Sequence, residues 1–296
     1  MLPINAGIPL ARGRRGVKYN EGAQLDPSQM GGGRRGSGGK IAIGGGAGLI
    51  VLLLALLFGI NPGDILGGSP QAGPEQSEEP SQFAQCTRGS DINADRDCRF
   101  VAYTNSIQDY WKDNLQGYQT IQVVTFTGSV NTACGHATSA VGPFYCPADT
   151  TVYLDLDFFD QLTGQLGAQG GDAAEAYVLA HEFGHHVQNA LGISRRVQEL
   201  AQQDPSSAND LSVRQELQAD CLAGVWAHSA AADLQPGDIE EAISAAQAVG
   251  DDRIQASTTG RIDPESWTHG SAEQRVQWFT AGYRSGNSDD CDTFAA

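Results

Sequence analysis

Val178-Leu179-Ala180-His181-Glu182-Phe183-Gly184-His185-His186 is the stretch on which the reading of this chain turns. It contains His-Glu-x-x-His. On an α-helix, residues four apart share a face, so His181 and His185 can present two imidazoles to one metal ion. Glu182 stands about 100° further round, where a carboxylate reaches a water on the metal rather than the metal itself. Zinc lowers the pKa of a coordinated water towards about 7, and an adjacent carboxylate can take its proton as it attacks a carbonyl. The flanks support a helix. Asp172 with Glu175 three residues later reads as a start and Gly192 as a stop, while Ala176, Ala180, Phe183, Val187 and Ala190 recur on one apolar face.

A catalytic zinc site needs a third protein ligand. The pattern with a third histidine six residues on is excluded, because Leu191 holds that position, Gln188 replaces the intervening glycine, and Met1 and Met30 are the only methionines. Glu216 is the expected ligand, 31 residues beyond His185 on the next long helix, with Asp220 four residues later on the same face. Asp220 can accept the N–H of a ligating histidine and fix its ring. It lies among Leu217, Ala219, Cys221, Leu222 and Val225, where a carboxylate without a partner is costly.

The net charge of −17 over 296 residues is unevenly placed. Residues 1–40 carry seven cations against Glu21 and Asp26, a balance of +5, and everything beyond is acidic. A nucleic-acid partner is therefore not expected. Residues 41–60 hold no charge and are long enough to span a bilayer, which predicts a single transmembrane helix. The positive flank predicts that 1–40 form a disordered cytoplasmic tail and that the remainder lies outside the cell membrane. Residues 61–82 read as a Pro/Gly/acid-rich linker and 83–296 as one catalytic domain. All six cysteines fall in that domain, and disulfides are expected. Two close pairs, Cys86–Cys98 and Cys134–Cys146, would leave Cys221 with Cys291.

Helices are predicted over 91–115, 207–232 and 271–283, with further helices at 158–166, 194–203 and from 238 towards 250; strands are predicted at 119–126 and 150–156. The second strand alternates Val152, Leu154 and Leu156 with polar residues, as on a half-exposed strand. Residues 134–147 read as a loop tied by a disulfide.

The run from His181 to Gln188, Glu216-Leu-Gln-Ala-Asp220 and Gly142-Pro-Phe-Tyr-Cys-Pro resemble the bacterial putative neutral zinc metallopeptidases, a group of gluzincins. Ser266-Trp-Thr-His269-Gly-Ser-Ala-Glu-Gln-Arg275-Val and the closing Cys291-Asp-Thr-Phe are similar too. The resemblance implies an α+β, zincin-like (gluzincin) domain, mostly helical with a small twisted sheet, and a substrate strand pairing with residues 151–157. By the same resemblance His269 is a candidate oxyanion donor, with Tyr145 and Tyr153 as alternatives. Arg275 is expected in a surface salt bridge, His186 on a second face of the helix, and Asp251-Asp252 in a solvated turn. His136 and His228 have no recognisable partners.

The expected function is a membrane-anchored extracytoplasmic zinc metalloendopeptidase. His181, His185 and Glu216 hold zinc, Glu182 is the general base, Asp220 orients a ligand, and the substrate is a peptide or protein of the cell envelope. An envelope scaffold without proteolysis and a zinc amidase acting on cell-wall peptides are the alternatives.

Overall fold

The structure, a computed structural model, describes residues 22–32, 82–231 and 234–295. Its strands in chain order are β1 (Met30–Gly32), β2 (Gln122–Phe126), β3 (Ser129–Thr132), β4 (Gly135–Thr138), β5 (Phe144–Cys146) and β6 (Thr151–Asp155). Its α-helices are α1 (Arg96–Asn114), α2 (Leu156–Gly164), α3 (Asp172–Ala190), α4 (Ile193–Gln203), α5 (Ala208–Ser229), α6 (Asp238–Ala248), α7 (Asp251–Thr258) and α8 (Ala272–Ser285).

α3 and α5 are buried on nearly every side, so neither shows a narrow apolar stripe. Acidic Asp172 and Glu175 occupy the first turn of α3, and Glu241 from α6 accepts the Ala173 N–H there, both suited to the positive end of a helix. Gly192, at φ 74°, then turns the chain into α4. α3 crosses α5 closely at Gly184, where a Cβ would stand 2.9 Å from the Ala219 Cα. α8 lies as close to α5: a side chain at Gly282 would fall on the Cys221 carbonyl, and one at Gly224 on that of Phe279. Phe100 and Ile107 of α1, Val123 and Leu154 of the sheet, and Leu179, Phe183, Val225 and Phe279 share the main core.

The principal sheet runs β1-β2-β6-β5, with β1, β2 and β6 parallel and β5 antiparallel to β6. β6 is therefore neither the half-exposed strand that its alternation suggests nor the edge strand that the resemblance implies. It is flanked on both sides and buried throughout, its polar residues partnered: Tyr153 stacks on Phe144 and donates to Asp149, while Asp155 caps α2. The strand at the edge is β5, inside the segment expected to be a loop. The hairpin β3–β4 packs over it through Val130 and Ala137. The three disulfides pair as expected, Cys86–Cys98, Cys134–Cys146 and Cys221–Cys291.

Two expectations are corrected. Among the described residues no helix is long and apolar enough to cross a membrane, and the run 41–60 lies outside them. β1 precedes that run and β2 follows it, yet the two pair in register from Met30–Val123 to Gly32–Thr125. Both strands must lie on one side of any bilayer, so a single crossing that leaves 1–40 inside and 61–296 outside conflicts with the sheet. The described residues thus form a mixed α/β domain of eight α-helices and small sheets, and the expectation of a single-pass anchor with its assigned location is not supported. Within 1–40, residues 22–32 are part of the domain: Met30 is buried against Thr104, and Asn105 bonds the backbone of Asp26 on both sides. The linker 61–82 lies outside the described residues except for Gln82.

Candidate metal centre

His181 and His185 stand one turn apart on α3 and face Glu216 of α5. His181 Nε2 is 3.1 Å from Glu216 Oε2 and His185 Nε2 is 3.4 Å from Oε1. One ligand atom from each of the three lies within 4.8 Å of the others, the only such grouping of metal-ligating side chains among the described residues. The close crossing at Gly184 and Ala219 sets this separation, since Glu216 sits a turn before Asp220 on the facing helix.

Each imidazole is held through its other nitrogen. His181 Nδ1 donates to Asp220 at 2.9 Å, and His185 Nδ1 donates to Gln188 Oε1 at 2.9 Å. Gln188 is itself fixed, donating to the Gln215 carbonyl and to Gln218. Both Nε2 atoms are thereby left for a metal, the orientation that ligating histidines require. Asp220 also accepts 2.9 and 3.0 Å bonds from the Arg275 guanidinium and a 2.6 Å bond from the Tyr177 hydroxyl. Arg275 is buried, not in the expected surface salt bridge, because α8 presses it between α5 and the Val249 carbonyl.

Burial alone would raise the Asp220 pKa, but Arg275 and His181 outweigh it and hold the carboxyl at about 2. Burial would lower His181, yet Asp220 and Glu216 push it up to about 10 in the absence of metal. Glu216 is held well below the usual carboxylate range by the two histidines, against the effect of burial. Glu182 differs in sign: burial pushes it up, only partly offset by His181 and His185. The backbone N–H of Tyr145, on β5, acts with the two histidines in lowering it.

His269 lines the same cavity, with Nδ1 3.3 Å from Asp251 Oδ1. Asp251 is no solvated turn. It is 1% exposed and accepts the backbone N–H groups of Thr268, His269 and Gly270, fixing that loop. Tyr145 lines the cavity, but its hydroxyl is occupied, donating to His186 Nδ1 and accepting from Asn189. His186 Nε2 in turn donates to the Gln119 carbonyl. Tyr153 faces Asp149, His136 bonds Asn131 and His228 bonds the Tyr283 carbonyl, all away from the centre. Gln188, Tyr177 and Asp251 escaped the sequence reading. The first two carry a usable signal, sharing a helix face with His185 and His181; Asp251 carries none.

A cleft of about 740 Å³ opens over the centre between β5 with its preceding loop and the α4–α5 wall. A family model described as putative neutral zinc metallopeptidase matches residues 13–294. An uncharacterized protein of Mycobacterium tuberculosis H37Rv is 48% identical over 254 residues, 82% of this chain and 85% of the relative. The uncharacterized protein YpfJ of Escherichia coli K12 is 43% identical over 258 residues, 84% of this chain and 87% of the relative. No solved structure matches the chain. With the family match running through every residue of the centre, the chain belongs to the putative neutral zinc metallopeptidase family.

Proposed function

We propose that this chain is a zinc-dependent endopeptidase that hydrolyses peptide bonds by attack of an activated water. The observation that carries the reading is a largely buried set of two imidazole nitrogens and one carboxylate, each imidazole oriented from behind, with a further carboxylate, Glu182, beside it. Two nitrogens and an oxygen suit zinc, whereas calcium takes six to eight oxygens. Bound there, zinc would supply a Lewis acid and bring the pKa of a coordinated water towards about 7.

The remaining chemistry belongs to the chain. Glu182, raised by burial, takes the proton of the attacking water and returns it to the leaving amine. Asp220 and Gln188 keep both histidine Nε2 atoms on the ligand side. His269, its Nδ1 committed to Asp251, has Nε2 left to donate to the oxyanion that develops on the scissile carbonyl. The substrate backbone pairs with the free edge of β5, a role the family resemblance implies for residues 151–157. A scaffold that kept the centre only for stability would have no use for a buried carboxylate at position 182.

The test is metal content by mass spectrometry beside cleavage of an unfolded protein. Glu216→Ala should lose zinc and activity together. Glu182→Gln should keep about one zinc per chain and lose hydrolysis, since it removes the base and no ligand. Asp220→Ala should weaken zinc by roughly 10–100-fold. Full zinc retention in Glu216→Ala, or hydrolysis by Glu182→Gln, would defeat the reading.

A further inference from the structure

We propose that the cleft accepts an internal, uncharged and predominantly apolar stretch of peptide and recognises neither chain terminus; this rests on the hydrolytic reading above. The chain carries 35 acidic residues and a net charge of −17, yet that charge stops at the cleft. Tyrosines aside, the ionisable side chains lining it are His181, Glu182, His185, Glu216, His269 and Arg275, all members of the centre. Val141 and Phe144 on the β5 side, Val197 and Ala201 on α4, and Val178 and Ile254 beyond the centre provide apolar walls.

A group that captures a free C-terminal carboxylate must be an available cation. Arg275 is the one non-histidine cation lining the cleft among the described residues, and its guanidinium is taken up by Asp220, Tyr177 and the Val249 carbonyl. His269 has its charge balanced by Asp251 through Nδ1, and its Nε2 is the donor assigned above to the oxyanion, so it is not free for a terminal carboxylate. A group that captures a free α-ammonium must be an available carboxylate. Glu216 lies between the two histidines, Glu182 stands beside the same pair as the proposed base, and no third carboxylate lines the walls. The other polar wall groups are neutral amides and hydroxyls, among them Gln161, Gln198, Gln202, Asn209 and Ser212. A charged side chain entering here gives up water and finds no partner, which costs far more than an apolar side chain of the same size. A volume of about 740 Å³ is enough for several substrate side chains.

The experiment uses the full-length zinc-loaded protein and a set of decapeptides. The parent has an apolar centre and both termini capped; companions carry Lys or Asp at one central position, or free termini. Wild type is assayed for kcat/KM and Glu182→Gln for binding by fluorescence anisotropy. Lys or Asp at the centre should lower both at least about tenfold, and uncapping the ends should change either by less than about threefold. Gln198→Glu should move the preference towards the Lys peptide by roughly fivefold or more. Equal binding of the parent and charged peptides, or a gain on uncapping, overturns the inference. Cleavage indifferent to central charge overturns it while leaving hydrolysis intact. Expected binding ranks without any cleavage by wild type would uphold it and defeat the hydrolytic reading instead.

Discussion

Arg275→Met tests whether the carboxylate behind His181 depends on a buried cation. Arg275 is 4% exposed and Asp220 0%, and they meet through two near-parallel N–H···O bonds of 2.9 and 3.0 Å. Methionine keeps much of the packing but leaves Asp220 as a buried charge. Breaking such a pair from one side costs about 3–5 kcal/mol. Tyr177 and His181 still donate to Asp220, so the lower end of that range is expected. For a domain of this size the melting temperature should fall by roughly 6–12 °C. The assay is urea unfolding of the metal-free full-length protein at pH 7 with disulfides intact, where the slope should be unchanged and the midpoint lowered. Adding Asp220→Asn removes the stranded charge, so the double variant should lose at least about 1 kcal/mol less than the two single losses together. A single variant within about 0.5 kcal/mol of wild type, or strict additivity, would refute the pairing as the cause.

Zinc uptake should release protons at pH 7, because His181 stands at about 10 without metal and must become neutral to ligate. In the metal-free protein, the proton on His181 contributes stability that is complete below its ordinary value of 6.5 and lost as pH rises through about 10; zinc affinity runs the other way and should climb with pH. Titration calorimetry in buffers of different ionisation enthalpy counts those protons, and a count of zero at pH 7 contradicts the assignment. Tyr145→Phe removes the hydroxyl whose two hydrogen bonds tie β5 to α3, so it should raise KM roughly fivefold to thirtyfold and leave zinc affinity alone by equilibrium dialysis; loss of zinc would place Tyr145 elsewhere in the machinery. Gly282→Ala should destabilise by about 1–3 kcal/mol or more, since its methyl meets the Cys221 carbonyl, and an unchanged melting curve would rule out so close a crossing of α5 and α8.

The residues legible in the sequence are those whose partners lie along one helix or one short loop. His181, Glu182 and His185 announce themselves by spacing, and Asp220 by standing one turn from Glu216 in apolar company. Two of the disulfides close loops of 12 residues and left the third by elimination. What stayed hidden depends on packing between distant elements. Arg275 reaches Asp220 across 55 residues only because Gly224 and Gly282 let α8 lie against α5. Asp251 gathers residues 268–270 because the start of α7 meets the loop before α8, and a pair of aspartates at a turn carries no mark of that. β6 misleads for a similar reason. Its alternation predicts one wet face, but Thr151, Tyr153 and Asp155 find partners that allow burial between two strands. β1 was hidden by the basic residues around it, which obscured one short segment that supplies Met30 to the core.

The supports of the centre follow the stripes of α3 itself, which explains why so short a motif can organise so much of the chain. Tyr177, His181, His185 and Gln188 share one face; Tyr177 helps to hold Asp220 against His181, and Gln188 holds His185. Glu182, His186 and Asn189 share the next face, at i, i+4 and i+7. The last two hold the Tyr145 hydroxyl, which ties β5 to α3 beside Glu182. The proposed base therefore shares its face with the two residues that fasten Tyr145, and that fastening fixes β5 against the helix carrying the candidate ligands. Leu179, Phe183 and Val187 form the third face, buried in the core, and Gly184 lets α5 approach with Glu216. A rotation of α3 by even one residue would exchange these faces. The candidate ligands, the proposed base and the proposed substrate edge thus stand or fall together on the packing of this one helix.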